Sequence, residues 1–520
     1  MQLQVLKLKP GENTVTPPEW SSERLQALMQ SAADQQVVVV SCREPYSHDY
    51  TENGVVVTCP ASGLVTALEP VVRACRGTWI AHASGSADAE FVNQDGVCLV
   101  PPDRPEYSLL RVWLEDEEKR HFLDGFSNES LWPMCHPCEV EPTFRAADWG
   151  HYRRVNERFA DAVVQAATQD DPLVLVQDYH FALLPELIRA RLPGATVVAF
   201  WHIPWPEFDR LKACPWWPAL VRGLMSSSIV GFQTPRDQCN FNEAVAAFPT
   251  PFLPAASLPA RSNLPVVATY PISVAWPTPS ELSELPRVDD CRQQVRRENG
   301  LRPDTRLIVG VDRLDYTKGL VEKVHALETL LERYPQWRGR VSLVQVAAPT
   351  RSQLPAYLAY QQWVRTEVER VNKRFGCDGV LPIVLLETQH GRSAICRLYR
   401  AACLCAVTSL HDGMNLVSKE FVSLREDEQG ILVLSEFAGA AQELQRDALI
   451  VDPRDPGAMA NSFAHALMME PNEQQRRMRR MRRTIREANI YQWAGTMLSD
   501  AAALRDSRSL GALASWQEAA

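Results

Sequence analysis

Short runs of branched apolar residues alternate along the chain with longer amphipathic stretches, and this alternation restricts the possible folds more than any other feature. In the second half, the stretches at residues 318–333 and 354–374 carry apolar residues at helical spacing. Strands that are apolar throughout are typical of parallel sheets that helices cover on both faces. We therefore predict a doubly wound α/β fold, in which ligands bind beyond the carboxyl ends of the strands. The predicted strands of this half are residues 307–312, 341–347, 383–387, 404–410, 431–435 and 449–452.

The first half repeats this pattern less regularly, and a proline-rich region at about residues 248–286 is predicted to form a linker and edge loops between the halves. Two Rossmann-like domains that face each other across a cleft are the simplest architecture for such a chain. We expect an N-terminal domain at residues 1–275, a C-terminal domain at 276–485, and a helix at 486–520 that packs back on the N-terminal domain. The predicted strands of the first half are residues 37–41, 173–177, 196–201 and 229–233.

The charge balance narrows the classes of partner. The 520 residues include 54 Lys and Arg against 63 Asp and Glu, which gives a formal net charge of −9. A mildly acidic chain lacks the basic face that nucleic acids and anionic membranes require, so we expect neither as a partner. Local cations can still bind phosphate substrates. The basic segment at residues 474–487 has its arginines at helical spacing and is predicted to be a solvated helix.

The cysteines and the N-terminal sequence favour a reduced, cytoplasmic protein. The 13 cysteines are scattered and odd in number, and the first 20 residues lack the basic and apolar regions of a secretory signal. No run approaches the roughly 18 apolar residues of a membrane span. Cys135 and Cys138 form a C-x-x-C pair, but without a second pair nearby we expect packing there rather than a metal or redox site.

The segment VDRLDYTKGL places two cations where a predicted strand gives way to a helix. Arg313 and Lys318 lie five residues apart at this junction. A helix N-terminus carries unsatisfied N–H groups and a partial positive charge, so two cations beside it suit a diphosphate. The alternative is that Arg313 pairs with Asp312 or Asp315 and that Lys318 is a surface residue.

The segment LHDGMNLVSKEF forms a second such junction. The backbone N–H groups of Asn415, Leu416 and Val417 would point at a ligand in the cleft. Asp412 is suited to accept hydrogen bonds from sugar hydroxyls, and Glu420, one turn into the helix, from a ribose diol. The alternative makes Asp412 a helix N-cap and Glu420 a solvent residue.

The N-terminal half supplies VQDYH and FWHIPWP. Asp178 and His202 each follow an apolar strand, so both are expected at the carboxyl-end cleft, where they would orient hydroxyls or share a proton. Either is alternatively a satisfied structural group. Asp178 and His180 also suggest a metal, but the sequence offers neither a third ligand nor a carboxylate pair, so we expect no metal at the site.

Six motifs in a consistent order, between residue 37 and about residue 502, resemble the trehalose-6-phosphate synthase family, the retaining glycosyltransferases of family 20. They are VQDYH, FWHIPWP, GFQT, VDRLDYTKGL, HDGMNLVSKEF and VLSEFAGAAQEL. The resemblance implies the two-domain GT-B fold, with the acceptor bound by the N-terminal domain and the nucleotide sugar by the C-terminal domain. It implies transfer of glucose from a nucleotide sugar to glucose 6-phosphate, giving trehalose 6-phosphate with retention. No metal or other cofactor is implied; UDP-, GDP- and ADP-glucose all stay open as co-substrates, as does a homo-oligomeric state.

The resemblance also assigns roles to individual residues. Arg313 and Lys318 would hold the departing diphosphate, while Asp412 and His202 would contact the transferred glucose. The remaining donor-side positions, including one in an N-terminal glycine-rich loop, are Gly63, Met414, Asn415, Leu416, Val417 and Glu420. The acceptor-side positions are Arg43, Trp132, Asp178 and Arg351.

Two departures from the family pattern concern the acceptor. A family tyrosine that contacts the acceptor phosphate is Leu123 here, and a W-x-x-W pattern is reduced to Trp79 followed by His82. Leucine cannot donate a hydrogen bond, so one phosphate contact is missing unless another group replaces it. Glycerol 3-phosphate is therefore an alternative acceptor, and a non-catalytic relative that senses a sugar phosphate is a third hypothesis.

Overall fold

Two predominantly parallel sheets organise the chain. The computed structural model describes residues 19–31, 35–59, 63–248, 264–377 and 379–518, with side chains through residue 506. The first sheet has the order β10-β9-β8-β7-β1-β4-β6-β5, in which only the edge strand β5 is antiparallel. A separate hairpin pairs β2 with β3. These strands are β1 Val37–Arg43, β2 Ser47–Thr51, β3 Gly54–Thr58, β4 Thr78–His82, β5 Val97–Val100, β6 Tyr107–Val112, β7 Leu173–Gln177, β8 Thr196–Trp201, β9 Ile229–Phe232 and β10 Val266–Thr269.

The second sheet is parallel throughout. Its order is β13-β12-β11-β14-β15-β16, so the chain turns back at the β11/β14 pair, the position where ligands bind in doubly wound folds. The strands are β11 Arg306–Arg313, β12 Val341–Ala348, β13 Ile383–Leu386, β14 Leu404–Val407, β15 Ile431–Ser435 and β16 Leu449–Val451.

Helices cover both faces of the two sheets. In β1, Val38 and Val40 point into one apolar layer while Val37 and Val39 point into the other, which is why the strand is apolar at every position. The helices are α1 Ser22–Ser31, α2 Gly63–Cys75, α3 Asp116–Lys119, α4 Trp132–Cys135, α5 Ala146–Ala166, α6 Leu184–Arg191, α7 Phe208–Leu211, α8 Trp217–Met225, α9 Pro235–Ala246, α10 Pro279–Glu284, α11 Val288–Glu298, α12 Leu320–Arg333, α13 Pro355–Phe375, α14 Arg392–Ala401, α15 Leu416–Ser423, α16 Ala441–Leu444, α17 Pro456–Met468, α18 Pro471–Glu487 and α19 Ile490–Glu518.

The prediction of a doubly wound α/β fold with two Rossmann-like sheets is confirmed. The prediction of a linker and edge loops at residues 248–286 is partly wrong, because β10 lies within this region and pairs with β9 as a parallel edge strand. Residues 249–263 of that region lie outside the described residues. The predicted strand at 404–410 is shorter, since the chain leaves the sheet after Val407 to form the cleft loop.

The last helix returns to the first sheet. Trp493 of α19 packs edge-on against Phe200 of β8, with ring centroids 5.2 Å apart, and its Nε1 donates to the carbonyl of Tyr270 at 3.2 Å. The hydroxyl of Tyr270 in turn donates to Asp500 at 2.8 Å. Among the described residues, no helix is both long enough and apolar enough to cross a bilayer.

Candidate active site

The carboxyl end of β11 carries two cations. Arg313 is the last residue of β11, and Lys318 closes the 3-10 turn Tyr316–Lys318 that leads into α12. Asp315 holds this turn, because its carboxylate accepts from the backbone N–H of Thr317 at 3.1 Å. Both cations therefore lie beside the amino end of α12. The first N–H group of this helix, that of Leu320, already donates to the hydroxyl of Tyr360 at 3.0 Å, so the two side chains are the groups available to an anion here.

Lys318 reaches across the switch point to the loop that follows β14. Its Nζ lies 2.6 Å from Oδ2 of Asp412, which also accepts from Ser409 Oγ at 3.1 Å and Asn415 Nδ2 at 3.2 Å. Burial opposes ionisation of Asp412, but the charge of Lys318 outweighs it and lowers the pKa of Asp412 to about 2. The ion pair thus ties together the two loops that flank the switch point.

The amino end of α15 lies next to this pair. Asn415 is the N-cap of the helix, since its Oδ1 accepts from the N–H of Ser418 at 2.9 Å. The alternative in which Asp412 caps the helix is therefore wrong, because its carboxylate faces Lys318 instead. Asn415 has a φ of 89°, an unusual backbone conformation for a residue with a side chain. Met414 before it is buried.

Four further donor-side positions lie on α15 or contact it. Leu416 and Val417 are half-buried at its first turn, and a Cβ on Gly63 would lie 3.1 Å from Cδ1 of Leu416. Gly63 is the first residue of α2 rather than a loop residue, and residues 60–62 before it lie outside the described part of the chain. The carboxylate of Glu420 accepts from the hydroxyl of Tyr399 at 3.1 Å, and burial raises its pKa.

Across the gap, Arg351 stacks on the indole of Trp132. The guanidinium carbon lies 4.0 Å from the ring centroid, and that of Arg313 lies 5.4 Å from the same ring. Arg351 also donates to the hydroxyls of Tyr357 and Tyr179, the latter at 3.2 Å. Trp132 itself is buried, and its Nε1 has no hydrogen-bond partner among the described residues. Donor-side and acceptor-side cations therefore share one aromatic platform.

Three guanidinium groups converge here. Asp315 lies between two of them, with Oδ2 at 3.5 Å from Arg313 and 3.4 Å from Arg351. Burial disfavours its charge, but both arginines favour it, and the net effect lowers the pKa of Asp315. Desolvation, together with repulsion from Arg313 and Arg351, lowers the pKa of Arg43, at the end of β1. Among the described residues Arg43 has no ion pair, so it is free to meet an anionic ligand.

Asp178 and His202 follow neighbouring strands of the first sheet and contact each other. The backbone N–H of His202 donates to Asp178 Oδ1 at 3.3 Å, and the imidazole Nε2 lies 2.8 Å from Oε1 of Gln177. Burial raises the pKa of Asp178 to about 7 and lowers the pKa of His202 to about 3. His202 is therefore neutral at pH 7, and with Nε2–H donating to Gln177 its Nδ1 is an acceptor.

The two halves touch at these residues. A Cβ on Gly413 would lie 2.5 Å from the carbonyl oxygen of His202, so glycine alone permits this approach. The ammonium group of Lys419, which is fully buried, donates to the carbonyl of Ile272 at 2.8 Å and lies 2.5 Å from Glu443. The gap between the halves is therefore narrow beside the Lys318–Asp412 pair.

The sequence predicts part of what orients the arginines. A pair between Arg313 and Asp315 is the alternative stated above, and the structure shows it at 3.5 Å. Tyr179 and Tyr357, which accept from Arg351, were not predicted; Tyr179 alone of the two lies inside a quoted motif, where its polar group at a strand end was the available signal. Of the substituted positions, Leu123 packs against the apolar core. His82 is buried with Nδ1 3.3 Å from the carbonyl of Val112.

The sequence profile of glycosyltransferase family 20 matches residues 35–503. This chain belongs to that family. The match covers both sheets and every site residue described above, so the chain is a glycosyltransferase. A trehalose-6-phosphate synthase of Mycobacterium sp. strain JLS is 34% identical over 491 residues, which is 92% of this chain and 98% of the relative.

Solved structures of similar proteins share this architecture. An α,α-trehalose-phosphate synthase (UDP-forming) from Burkholderia xenovorans, in complex with glucose 6-phosphate, is 32% identical with a TM-score of 0.77. The alignment covers 90% of this chain and 99% of the Burkholderia chain. A structure from E. coli bound with UDP-2-fluoro glucose is 29% identical with a TM-score of 0.76, over 90% and 99% of the two chains.

Proposed function

We propose that this enzyme transfers glucose from UDP-glucose to glucose 6-phosphate with retention and so forms trehalose 6-phosphate. The observation that carries the proposal is the placement of Arg313 and Lys318 at the switch point, with Arg313 and Arg351 beside the same indole, that of Trp132. One pair of cations suits the diphosphate of a nucleotide sugar, and the other side suits the phosphate of a second sugar. In this scheme the C-terminal half takes the donor and the N-terminal half the acceptor.

The donor half of the reaction needs stabilisation of a departing diphosphate. Breaking the bond from the anomeric carbon develops negative charge on the leaving oxygen, and we assign Arg313 and Lys318 to the stabilisation of that charge. Preorganised donors of this kind contribute roughly 3–4 kcal/mol each. Asp412 and His202 would receive the glucose, and Glu420 the ribose diol.

The acceptor half needs a hydroxyl delivered to the same face that the diphosphate leaves. Arg43 and Arg351 would hold the acceptor phosphate, because Arg43 is unpaired among the described residues and Arg351 is fixed on Trp132. No carboxylate is assigned as a covalent nucleophile. We infer a same-face substitution in which the acceptor hydroxyl hands its proton to the departing phosphate, and Asp178 orients the acceptor.

The choice of UDP and glucose 6-phosphate rests on the similar proteins. The Burkholderia structure is named as UDP-forming and contains glucose 6-phosphate, and the E. coli structure contains a UDP-sugar. Glycerol 3-phosphate stays a candidate acceptor, because neither substituted position offers a free hydrogen-bond donor to the acceptor. Leu123 packs against the core, and His82 Nδ1 lies against the backbone carbonyl of Val112.

The test is a matrix of donors and acceptors. Purified protein is incubated with UDP-, GDP- or ADP-glucose against glucose 6-phosphate or glycerol 3-phosphate, and products are identified by mass and by the anomeric coupling in NMR. We expect an α,α-linked disaccharide phosphate from UDP-glucose and glucose 6-phosphate. A Lys318→Ala variant should lose this product. A Lys212→Ala variant should keep it, because Lys212 forms a comparable pair with Asp209 at 2.5 Å on the exposed surface.

Each other outcome identifies a different hypothesis. Product with glycerol 3-phosphate alone would replace the acceptor and keep the donor site. Binding of a sugar phosphate without turnover of any donor would support a sensing protein instead.

A further inference from the structure

A cluster of two histidines and a glutamate lies on the N-terminal half, in a helical region that the proposed reaction does not use. Glu117 belongs to α3, His121 to the π-helical stretch Arg120–Leu131 that continues it, and His151 to α5. One ligand atom of each residue lies within 4.8 Å of the others. None of the three has a hydrogen bond or ion pair to Arg313, Lys318 or Arg351 among the described residues.

His121 is oriented by a second carboxylate. Its Nδ1 lies 2.6 Å from Oδ1 of Asp148, which is buried, so the proton of a neutral ring is on Nδ1 and the lone pair is on Nε2. A carboxylate behind a histidine is the usual support for a metal-binding imidazole, because it fixes the tautomer and increases the basicity of the free nitrogen. Arg145 holds the other oxygen of Asp148 at 3.1 Å.

His151 presents its Nε2 to the same space. This atom lies 3.9 Å from Oε1 of Glu117, too far for a hydrogen bond, and its Nδ1 is buried without a partner among the described residues. The imidazole of His151 stacks on that of His121, with centroids 4.6 Å apart and planes 13° from parallel. Two imidazole nitrogens and one carboxylate oxygen therefore lie within 4.8 Å of one another, and among the described residues no hydrogen bond joins any two of these three side chains.

Glu117 is the ligand candidate whose side chain is most free to rotate. The side chain of Glu117 is 63% exposed, whereas that of His151 is 12% exposed. The neighbouring Glu118 is not available, since it binds Arg158 at 2.7 Å and caps the helix. A bound ion at about 2.0–2.1 Å from each ligand would draw the three atoms closer, which requires rotation of Glu117 and opening of the stacked rings.

We propose that Glu117, His121 and His151 form a binding site for a divalent transition metal of the zinc class. Two imidazoles and one carboxylate are a donor set that suits Zn²⁺, Co²⁺ or Ni²⁺ better than Ca²⁺ or Mg²⁺, which prefer oxygen alone. The ion would join α3 and the π-helical stretch to α5. The role is structural, because the leaving diphosphate is held elsewhere by Arg313 and Lys318.

Cobalt distinguishes this site from the cysteines. Purified full-length protein is titrated with Co²⁺, and the visible d–d absorption is followed together with the near-ultraviolet region, where thiolate ligands absorb. We expect one Co²⁺ bound without a thiolate band. Zn²⁺ should displace it and should raise the melting temperature, as a ligand that binds only the folded state must.

Two variants and one control identify the ligands. Glu117→Gln and His151→Gln should each weaken Co²⁺ binding at least tenfold, and Glu117→Gln changes a side chain that is 63% exposed. His325→Gln should leave binding unchanged; His325 pairs with Glu367 at 2.9 Å in a similar half-buried setting, but it belongs to no three-residue cluster among the described residues.

The proposal is overturned if wild type and Glu117→Gln bind Co²⁺ equally, or if all bound Co²⁺ carries a thiolate band. Glucosyl transfer is measured in parallel with and without chelator. Loss of metal binding with unchanged transfer supports a structural site. The cobalt titration measures metal binding alone, so its result can be interpreted even if the protein does not transfer glucose.

Discussion

Lys318 is paired with Asp412, yet this pair does not remove it from a role at a diphosphate. An ammonium group has three N–H donors, and the 2.6 Å contact with Asp412 occupies one of them. The pair also fixes the direction of a long side chain that would otherwise lose rotamer entropy on binding. Arg313 is freer, since its closest carboxylate lies at 3.5 Å and its side chain is 34% exposed.

Arg313→Ala tests the leaving-group role directly. We expect turnover to fall by roughly 10²–10³, because removal of a preorganised donor to a developing oxyanion has that effect. Stability should change little, since Arg313 makes only a long ion pair with Asp315 and a 5.4 Å contact with the ring centroid of Trp132. Steady-state kinetics and thermal melts measure the two effects. An Arg104→Ala variant, in which an 86% exposed arginine is removed, is the control. Near-normal turnover of Arg313→Ala would contradict the diphosphate assignment.

Asp178 gives a prediction about pH. Burial raises the pKa of this carboxyl group from its ordinary 3.8 to about 7, so the unfolded chain binds fewer protons than the folded one between those values. Stability from Asp178 is therefore fully present below pH 4 and is lost as the pH rises towards 7. We expect the free energy of unfolding of Asp178→Asn to rise relative to that of wild type as the pH increases from 5 to 8, by a few kcal/mol at most, as measured by denaturant unfolding at each pH. A constant difference across this range would show that the carboxyl group does not titrate there.

At the scale of elements, the turn between β11 and α12 depends on Gly319. This residue has a φ of 62°, and a Cβ on it would collide with the carbonyl oxygen of Thr408. The close approach brings the loop after β14, and with it Asp412, beside Lys318. The sequence motif therefore needs glycine for two separate reasons.

Gly319→Ala should destabilise the protein and lower activity together. Gly300→Ala is the matched control, because Gly300 has a similar φ of 64° but no atom within 4 Å of an added Cβ. We expect Gly300→Ala to cost about 1–2 kcal/mol from backbone strain alone and to leave turnover unchanged. Gly319→Ala should cost more and reduce turnover. Equal free energies of unfolding for the two variants would contradict the steric argument.

Elements whose residues are apolar throughout were predictable, and those whose stability comes from tertiary contacts were not. β7 and β15 have the predicted bounds because every residue is buried. β4 (TWIAH) was missed, since a tryptophan and a histidine interrupt its apolar character although both are buried against neighbouring strands. β10 was missed because the surrounding prolines indicate a loop, and only its pairing with β9 makes it a strand.

The same division applies to the site. Arg313 and Lys318 were predictable from one motif at a strand end. The stacking of Arg351 on Trp132 was not, because the two residues are remote in sequence and meet only when the two sheets face each other. The positive φ of Asn415 likewise depends on how its loop meets the Lys318–Asp412 pair.

At the scale of the molecule, α19 links the last residues to the first sheet beside the site. Trp493 packs on Phe200, and Phe200 in turn packs on the imidazole of His202 with centroids 4.5 Å apart. Tyr270, just after β10, bonds to α19 through both its carbonyl and its hydroxyl. Through Phe200, α19 therefore supports His202, which we assign to the binding of the transferred glucose.

Trp493→Ala should weaken both the fold and the site. Removal of a buried tryptophan costs about 3–5 kcal/mol. The lost support of Phe200 should raise the KM for the donor more than it lowers kcat if His202 contacts the transferred glucose, as we propose. Trp113→Ala, at a position that is 43% exposed, should cost far less and leave both constants unchanged. Denaturant unfolding and initial rates measure the two effects. If Trp493→Ala lowers stability while both kinetic constants stay at wild-type values, α19 supports the fold only. Packing of Trp493 and Phe200 would then have no effect on how His202 binds substrate.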